Sequence, residues 1–580
     1  MKRLILFAIT LAVFPYAANA QKDVLFDAMK DELARSMKEL KLENDPGPYY
    51  ISYHISDEYN LQIQADSGAV VANSESRNRL FNTDIRVGDY EHDNSNFTSL
   101  NVLSNLGELI ADALSSIIFP VDDDYDAVRR RIWQGTDSAY KSAVEILNRK
   151  NTALQRAAQT DRPPDFTRGK ATVSIAKAND FTVSREQWEE RVNRIASLLQ
   201  RNGNIHKSDV NLEIRIANAY YVNSEGAQTL EPSSRAQLTI KAATTAKDGM
   251  PLENYRVYTA ARPEELPGME IVEADIQALA AGLEAARTAI VGEEYNGPVL
   301  FEGEAAGELF ARGFVNFLKG TRDADSDSPQ IAALLNTAAN PFVSRLDTRV
   351  AANSLSIKAV PSLKNYGGKN LAGAYATDNE GVPAQDVSLV ENGILKNLLM
   401  TRAPVKGIEA SNGHNRGNGA APGVIQVISE NKKPYDQLKQ NLIEAAREEG
   451  LAYGYIVRGL VPAAEIDGAQ ALQMIQDLLG GNRLDPSQFR LANPYSIFRL
   501  YPDGREERVR GLEFGIVSVN ALRNILAVSE QETVYNYFLS ATDGAMAATV
   551  ITPSLLINGI SLKKSAGVHP KPPVVDFPIQ

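Results

Sequence analysis

Three glutamates within seven positions form the group of side chains in this chain best suited to chemistry. Glu302, Glu304 and Glu308 follow the apolar run Val299–Phe301, and Gly303 separates that strand-like run from a helical pattern. Residues four apart share a face of a helix, so Glu304 and Glu308 form a carboxylate pair. Carboxylates can bind a hard cation through oxygen, or take a proton from a metal-bound water.

Other catalytic groups are scarce in the sequence. The 580 residues include five histidines and no cysteine, which excludes a cysteine nucleophile or a thiolate ligand. A Gly-x-Ser-x-Gly nucleophile elbow is also missing from the sequence. Without histidine or thiolate, the pair Glu304 and Glu308 is a poor zinc site, and two solvated or salt-bridged helix acids are the alternative interpretation.

Several segments of the C-terminal half resemble, in the same order, those of the TldD/PmbA family of metallopeptidase-related proteins, also described as modulators of DNA gyrase. They are the strand and helix Val299–Phe310, the Asp-x-Glu-Gly-x-Pro segment within Gly373–Gln385, the Asn-Gly hairpin Val387–Lys396, the hairpin Ser496–Val509 about Pro502-Asp503-Gly504, and the apolar strand Val550–Ile557. Each hairpin alone is weak, but their order over about half of the chain is specific.

The resemblance implies a family zinc site that this chain has lost. Metal-binding members carry a His-Glu-x-x-x-His motif on this helix and a cysteine near the C-terminus. The histidine positions fall on Gly303 and Glu308, the family glutamate falls on Glu304, and the cysteine has no counterpart. The resemblance therefore implies that no zinc is bound, that no cofactor is needed, and that Glu304 is a vestige of the catalytic glutamate.

A glycine-rich loop, residues 410–419, resembles the family's Thr-Gly-x loop. Its Gly413-His414 pair is closer to the metal-free PmbA or TldE type of subunit than to the metal-binding TldD type. Asn412, Gly413 and His414 could line a groove for an extended peptide, and a mobile surface loop is the alternative.

Periodicity predicts an α+β protein. The N-terminal region shows an amphipathic helix, alternating strands and turns of the antiparallel type, whereas the C-terminal region is richer in strands around one buried helix that continues to about Leu318. Strand-like runs are predicted at 49–56, 61–65, 69–72 and 84–87, helical character at 122–158, and a polar insertion at 88–97. We expect an N-terminal α+β domain over residues 21–255 and a C-terminal TldD/PmbA-type domain over 256–580.

The N-terminal residues are typical of a secretory signal peptide. A basic start, Met1-Lys2-Arg3, precedes an apolar run, and Ala18-Asn19-Ala20 offers a cleavage site. We therefore expect a secreted or periplasmic protein without a membrane span. The formal net charge of −12 gives no electrostatic footprint for nucleic acid.

Three hypotheses follow from the sequence. The first is a secreted, non-catalytic subunit, inactive alone, that pairs as a hetero- or homodimer with a metal-binding TldD-type paralogue and helps to bind a peptide substrate. The second is an active metallopeptidase with an altered site built from Glu304, Glu308 and a third ligand. The third is a stand-alone periplasmic peptide-binding or scaffold protein.

Overall fold

The computed structural model describes residues 23–98, 119–157, 162–203, 205–323, 325–328, 332, 340–417, 419–462, 485–539 and 546–565. Within them the chain is a mixed α+β protein with largely antiparallel sheets, which confirms the predicted fold class. The predicted signal peptide, residues 1–20, lies outside the described residues. In the described ranges, no helix is long and apolar enough to cross a membrane.

A six-stranded sheet with four helices on one face forms the N-terminal region. The described strands of this region are β1 (Pro48–Asp66), β2 (Ala69–Val87), β3 (Phe97–Thr98), β4 (Val173–Ile175), β5 (Lys207–Asn223), β6 (Gln228–Thr245) and β7 (Pro251–Ala260). The helices are α1 (Val24–Glu39), α2 (Tyr125–Ala157), α3 (Arg185–Gln200) and α4 (Met269–Thr288). The sheet order is β2-β1-β5-β6, with β4 and β7 both on β6, while β3 lies outside this sheet.

The two faces of this sheet differ because apolar residues alternate along its strands. Odd-numbered residues of β1, such as Ile63, and even-numbered residues of β5, such as Leu212, pack in the cores that also contain the four helices. Residues of the opposite parity, such as Gln62 of β1 and Asn211 and Glu213 of β5, form a polar face. That polar face is turned toward the C-terminal region.

The C-terminal region is organised by a thirteen-stranded sheet. Its described elements are β8 (Ile290–Val291), β9 (Tyr295–Phe301), α5 (Gly303–Arg312), β10 (Asp325–Ser326), β11 (Leu355–Ala359), β12 (Asn365–Tyr366), β13 (Lys369–Asn370), β14 (Val387–Glu391), β15 (Ile394–Leu395), β16 (Val424–Ser429), β17 (Lys432–Lys433), α6 (Tyr435–Glu448), β18 (Gly454–Leu460), β19 (Gln488–Arg490), β20 (Pro494–Leu500), β21 (Glu506–Arg510), β22 (Leu512–Phe514), β23 (Ile516–Ser518), β24 (Ile525–Leu539) and β25 (Met546–Lys564), with short 3₁₀ helices at Pro263–Glu265, Phe314–Leu318 and Val519–Asn524. The main strand order is β15-β14-β11-β16-β25-β9-β18-β20-β21-β8, and β24 pairs with β25.

Strand β9 lies in the middle of this sheet and leads directly into α5. Val299 and Phe301 belong to the core that contains α5, and Leu300 belongs to the core under α6 on the other face. A strand buried on both faces needs a continuous apolar run, which explains the Val-Leu-Phe sequence before the glutamates. The central position of β9 fixes the start of the helix.

The structure confirms the predicted hairpins and extends the predicted strands. Asn392 and Gly393 form the turn between β14 and β15, with positive φ values of 48° and 79°. Strands β20 and β21 pair across the second predicted turn. The separate runs predicted between residues 49 and 87 are instead one hairpin, in which β1 and β2 pair over most of their length.

One predicted limit is placed differently in the structure. The α-helix that was expected to continue to about Leu318 ends at Arg312, and a 3₁₀ helix follows Gly313. The domain boundary expected near residue 255 stays a prediction; that residue lies in β7, which pairs with β6, and α4 packs in the N-terminal core.

Candidate functional site

Helix α5 is the element around which the candidate site is built. Its first residue, Gly303, has a φ of +50°, in the left-handed region that disfavours side chains. Four residues later Gly307 lies so close to β24 that an added Cβ would come within 2.4 Å of the Tyr535 Cβ atom. The helix is therefore held tightly against β24, with one face in the core and the other in a cleft.

Glu308 is committed to internal partners. Its side chain is almost completely buried, forms an ion pair with Arg312 one turn later, and accepts a hydrogen bond from the Tyr535 hydroxyl. Burial raises the pKa of the Glu308 carboxyl, while Arg312 and the Tyr535 hydroxyl act in the opposite direction. Arg312 and Tyr535 together hold the Glu308 carboxylate against the surface of α5.

Glu302 is also occupied. Its carboxylate accepts hydrogen bonds from the Tyr435 hydroxyl and, at 2.8 Å, from Nε of Arg458. Of the three glutamates in the motif, this leaves Glu304 as the one without a hydrogen bond or ion pair to any described residue.

Glu304 is exposed to the cleft and surrounded by its walls. Desolvation by those walls raises the pKa of the Glu304 carboxyl, the cations Arg256 and Lys369 lower it, and the carboxylates of Asp275 and Glu308 raise it further. Because the side chain is solvent-accessible, water within the cleft reduces the size of each effect.

The cleft lies between the polar face of the N-terminal sheet and the C-terminal region, and we call it the central cleft. It consists of three adjoining cavities of about 580, 670 and 600 Å³, all lined by Val257 of β7. Glu304 lines the first two, and Tyr535 of β24 lines the first and the third. A volume of this kind accommodates a segment of peptide.

The residues present do not fit a zinc ion. Gly303 contributes no side chain, Glu308 is bound to Arg312 and Tyr535, and the chain has no cysteine. In the described part of the chain, no group of three histidine, aspartate or glutamate side chains could hold a metal ion. Zinc sites require three or four such ligands at one point, so Glu304 alone does not form one.

The loop residues Asn412, Gly413 and His414 are buried. The amide of Asn412 donates to the Leu398 carbonyl at 2.8 Å and accepts from the Met400 N–H at 2.7 Å. Nδ1 of His414 lies 2.9 Å from Oδ1 of Asn412, and burial lowers the pKa of His414 to about 4. The two side chains satisfy polar groups inside the protein, so in this arrangement a peptide in the central cleft would not touch them.

The Asp-x-Glu-Gly-x-Pro segment lies beside this loop at the junction between the two regions. Asp378 accepts backbone hydrogen bonds from Glu380, Val382 and Asn415 at 2.8–3.0 Å. Burial raises its pKa, as does the neighbouring carboxyl of Glu380. The segment thus organises loops and lies away from Glu304, which lines other cavities.

A stack of charged and aromatic side chains joins the two regions. The fully buried Arg402 lies 4.0 Å from the centre of the Phe166 ring, and Arg86 lies 3.6 Å from the same ring. Arg402 also pairs with Glu225 at 2.6 Å and donates to the Thr167 carbonyl. These contacts connect Arg402 of the C-terminal region to Phe166, Thr167 and Glu225 of the N-terminal region.

Sequence reasoning missed several residues of the site. Arg312 could have been found from its i, i+4 spacing to Glu308. Tyr535 and Val257 lie more than 200 and about 50 residues from the motif, respectively, and nothing in their local sequence marks them. They reach the site only through the packing of β24 and β7.

The C-terminal region matches the model of a known protein family. Residues 294–564 match the model of the PmbA/TldA metallopeptidase C-terminal domain. A search of curated protein sequences gave no significant match.

Solved structures extend the similarity to the whole fold. A protein from Thermotoga maritima described as a modulator of DNA gyrase has a TM-score of 0.58 and 13% identity, covering 93% of this chain and 100% of its own. TldE from Thermococcus kodakarensis has a TM-score of 0.56 and 14% identity, covering 92% and 100%. A Bacteroides thetaiotaomicron protein, also described as a modulator of DNA gyrase, has a TM-score of 0.58 and 12% identity, covering 93% and 98%. With this match over residues 294–564 and a fold shared along the chain, the C-terminal domain of this protein belongs to the TldD/PmbA family of metallopeptidase-related proteins.

Proposed function

We propose that this chain is a secreted, non-catalytic member of the TldD/PmbA family that binds an extended peptide in the central cleft and pairs with a metal-binding TldD-type paralogue. The proposal rests mainly on the contacts that Glu308 of α5 makes. Glu308, at a ligand position of the family, is bound to Arg312 and Tyr535, while the cleft beside it stays open. A cleft whose residues do not fit a metal ion can hold a peptide but lacks the metal-bound water with which a metallopeptidase cleaves it.

The edges of two strands support an extended ligand. Among the described strands, β7 pairs only with β6, and β24 beyond Gln531 pairs only with β25, so each has a free edge. Residues of both strands line the central cleft. Free N–H and C=O groups at a strand edge can pair with the main chain of an added strand, largely independent of its sequence.

Two parts of the proposal, pairing with a TldD-type paralogue and export from the cytoplasm, rest on the sequence alone. A subunit that has lost its metal ligands contributes to proteolysis only beside one that keeps them, and the PmbA-type loop at Gly413 and His414 is the feature that favours this role. The leader-like residues Met1 to Ala20 favour export.

The proposal is tested on the mature chain, purified from residue 21 onward. We expect no zinc above background by elemental analysis and no cleavage of an unfolded peptide, whereas a mixture with the metal-binding paralogue should elute as one complex. Stoichiometric zinc together with peptidase activity that disappears in Glu304→Ala would establish the altered metal site instead. Separate elution of the two chains would contradict the pairing.

A further inference from the structure

We propose that the central cleft selects extended peptides that carry a lysine or arginine side chain, and that Glu304 receives the cationic group. This inference rests on the peptide-binding function proposed above and adds the chemical class of the ligand. Glu304 then acts as a specificity-determining residue instead of a proton acceptor.

The charges lining the cleft are unequally paired. The cations Arg256 and Arg458 have carboxylate partners, Asp275 at 3.7 Å and Glu302 at 2.8 Å. In contrast, four carboxylates that line the cleft have no ion pair with any described residue: Asp66, Asp209, Glu213 and Glu304. Only two lining cations are likewise without an ion pair to a described residue, Lys207 and Lys369. An excess of unpaired negative charge in a low-dielectric cleft attracts a cationic ligand more strongly than the same charge on an open surface.

Glu304 is accessible to a ligand side chain from two of the three cavities. It lines both the 580 and the 670 Å³ cavities, so a side chain entering from either of them reaches its carboxylate. The surrounding walls desolvate that carboxylate, as the raised pKa of Glu304 reflects. Because Glu304 is accessible from the cleft and has no hydrogen bond or ion pair with a described residue, a cationic group that enters can pair with it directly.

Aromatic rings next to Glu304 suit the stem of a basic side chain. Tyr258, Tyr495 and Tyr535 line the same 580 Å³ cavity. The methylene stem of lysine or arginine packs on apolar ring surface, and its cation is attracted to the ring face. Glutamine shares part of the stem but lacks the cation, so it provides a matched neutral comparison.

A second, independent feature of the cleft also indicates a ligand. Tyr537 of β24 is 7% exposed and lines the 600 Å³ cavity with Asp209 and Glu213. Its hydroxyl has no hydrogen-bond partner in the described part of the chain. Buried hydroxyls are normally paired, so the Tyr537 side chain leaves an unused donor and acceptor at the wall of this cavity.

The test measures binding of three fluorescein-labelled peptides of about eight residues by anisotropy at low salt, where charge effects are largest. The peptides alternate threonine with lysine, glutamine or glutamate. The lysine peptide should bind about tenfold more tightly than the glutamine peptide, and the glutamate peptide more weakly than either. In Glu304→Gln, the lysine peptide should lose about fivefold in affinity while the glutamine peptide is unchanged.

A matched control removes the same charge elsewhere. Glu448, exposed at the end of α6, lies outside the cleft, so Glu448→Gln should leave all three affinities unchanged. Equal binding of the three peptides to the wild-type protein overturns the charge selectivity and leaves peptide binding intact. A lysine preference that survives in Glu304→Gln overturns the role of Glu304, and binding of none of the peptides overturns the proposed function itself.

Discussion

Replacing Glu308 by alanine should destabilise the protein far more than removal of an ordinary helix carboxylate. The substitution leaves Arg312, whose side chain is 18% exposed, without its anion, and leaves the Tyr535 hydroxyl without its acceptor. Removing one partner of a buried ion pair costs about 3–5 kcal/mol. Because water still reaches part of Arg312, we expect a loss near the lower end, about 3 kcal/mol in the free energy of unfolding.

Urea unfolding followed by circular dichroism measures this loss, and the chain offers a close control. Glu145 and Arg149 form an i, i+4 pair at 2.7 Å on the surface of α2. Glu145→Ala should cost less than about 0.5 kcal/mol, because exposed pairs are screened by water. In a double-mutant cycle, Glu308→Ala with Arg312→Ala should cost at least about 1 kcal/mol less than the sum of the single losses.

The same measurement distinguishes an internal ion pair from a hidden metal site. A ligand that binds only the folded protein stabilises it, so zinc would raise the urea midpoint if Glu308 were a ligand. We expect zinc and a chelator to leave the wild-type midpoint unchanged. Stabilisation by zinc that disappears in Glu308→Ala, or a loss in Glu308→Ala no larger than in Glu145→Ala, would refute the reasoning.

Three other predictions concern stability. His414 is neutral when folded because burial lowers its pKa to about 4 from 6.5, so the unfolded chain binds the proton first. The free energy of unfolding should therefore fall by up to about 3 kcal/mol between pH 6.5 and 4, and urea unfolding should show a shallower dependence in His414→Phe. Gly307→Ala places a Cβ at 2.4 Å from the Tyr535 Cβ atom and should cost about 1–3 kcal/mol in urea unfolding, despite alanine's better helix propensity. Arg402→Met leaves Glu225 without its cation and should cost about 3 kcal/mol or more, with faster limited proteolysis between the two regions; cleavage at the wild-type rate would contradict the joining role.

The elements that sequence predicted well are those with local causes. The Asn392-Gly393 turn supplies its own positive φ values, and the apolar run of β9 is explained by burial on both faces. By contrast, β2 was fragmented in the prediction because its exposed edge residues from Asn73 to Arg77 are polar on both faces. Pairing with β1, a tertiary effect, holds that segment extended.

The sequence was enough to predict that Glu304 and Glu308 lie on one helix, but it predicted only some of the contacts that the residues of the candidate site make. The motif placed Glu304 and Glu308 on one helix, and the salt-bridged alternative for the pair describes Glu308 in the structure. The polar loop at His414 is buried because distant backbone groups of the Leu398–Met400 segment accept and donate its hydrogen bonds, which local polarity does not reveal. The charge pairing of the cleft depends on β7 and β24, which meet only in the folded chain.

The left-handed backbone at Gly303 makes it costly to build the family's zinc ligands into this helix by mutation. A histidine placed there would find space, since the nearest atom to an added Cβ is Oγ1 of Thr533 at 3.8 Å, but φ of +50° would cost it about 1–2 kcal/mol. A second histidine at 308 would leave Arg312 unpaired, and a cysteine would still be needed. Each of these single substitutions would therefore lower stability without by itself completing a set of zinc ligands.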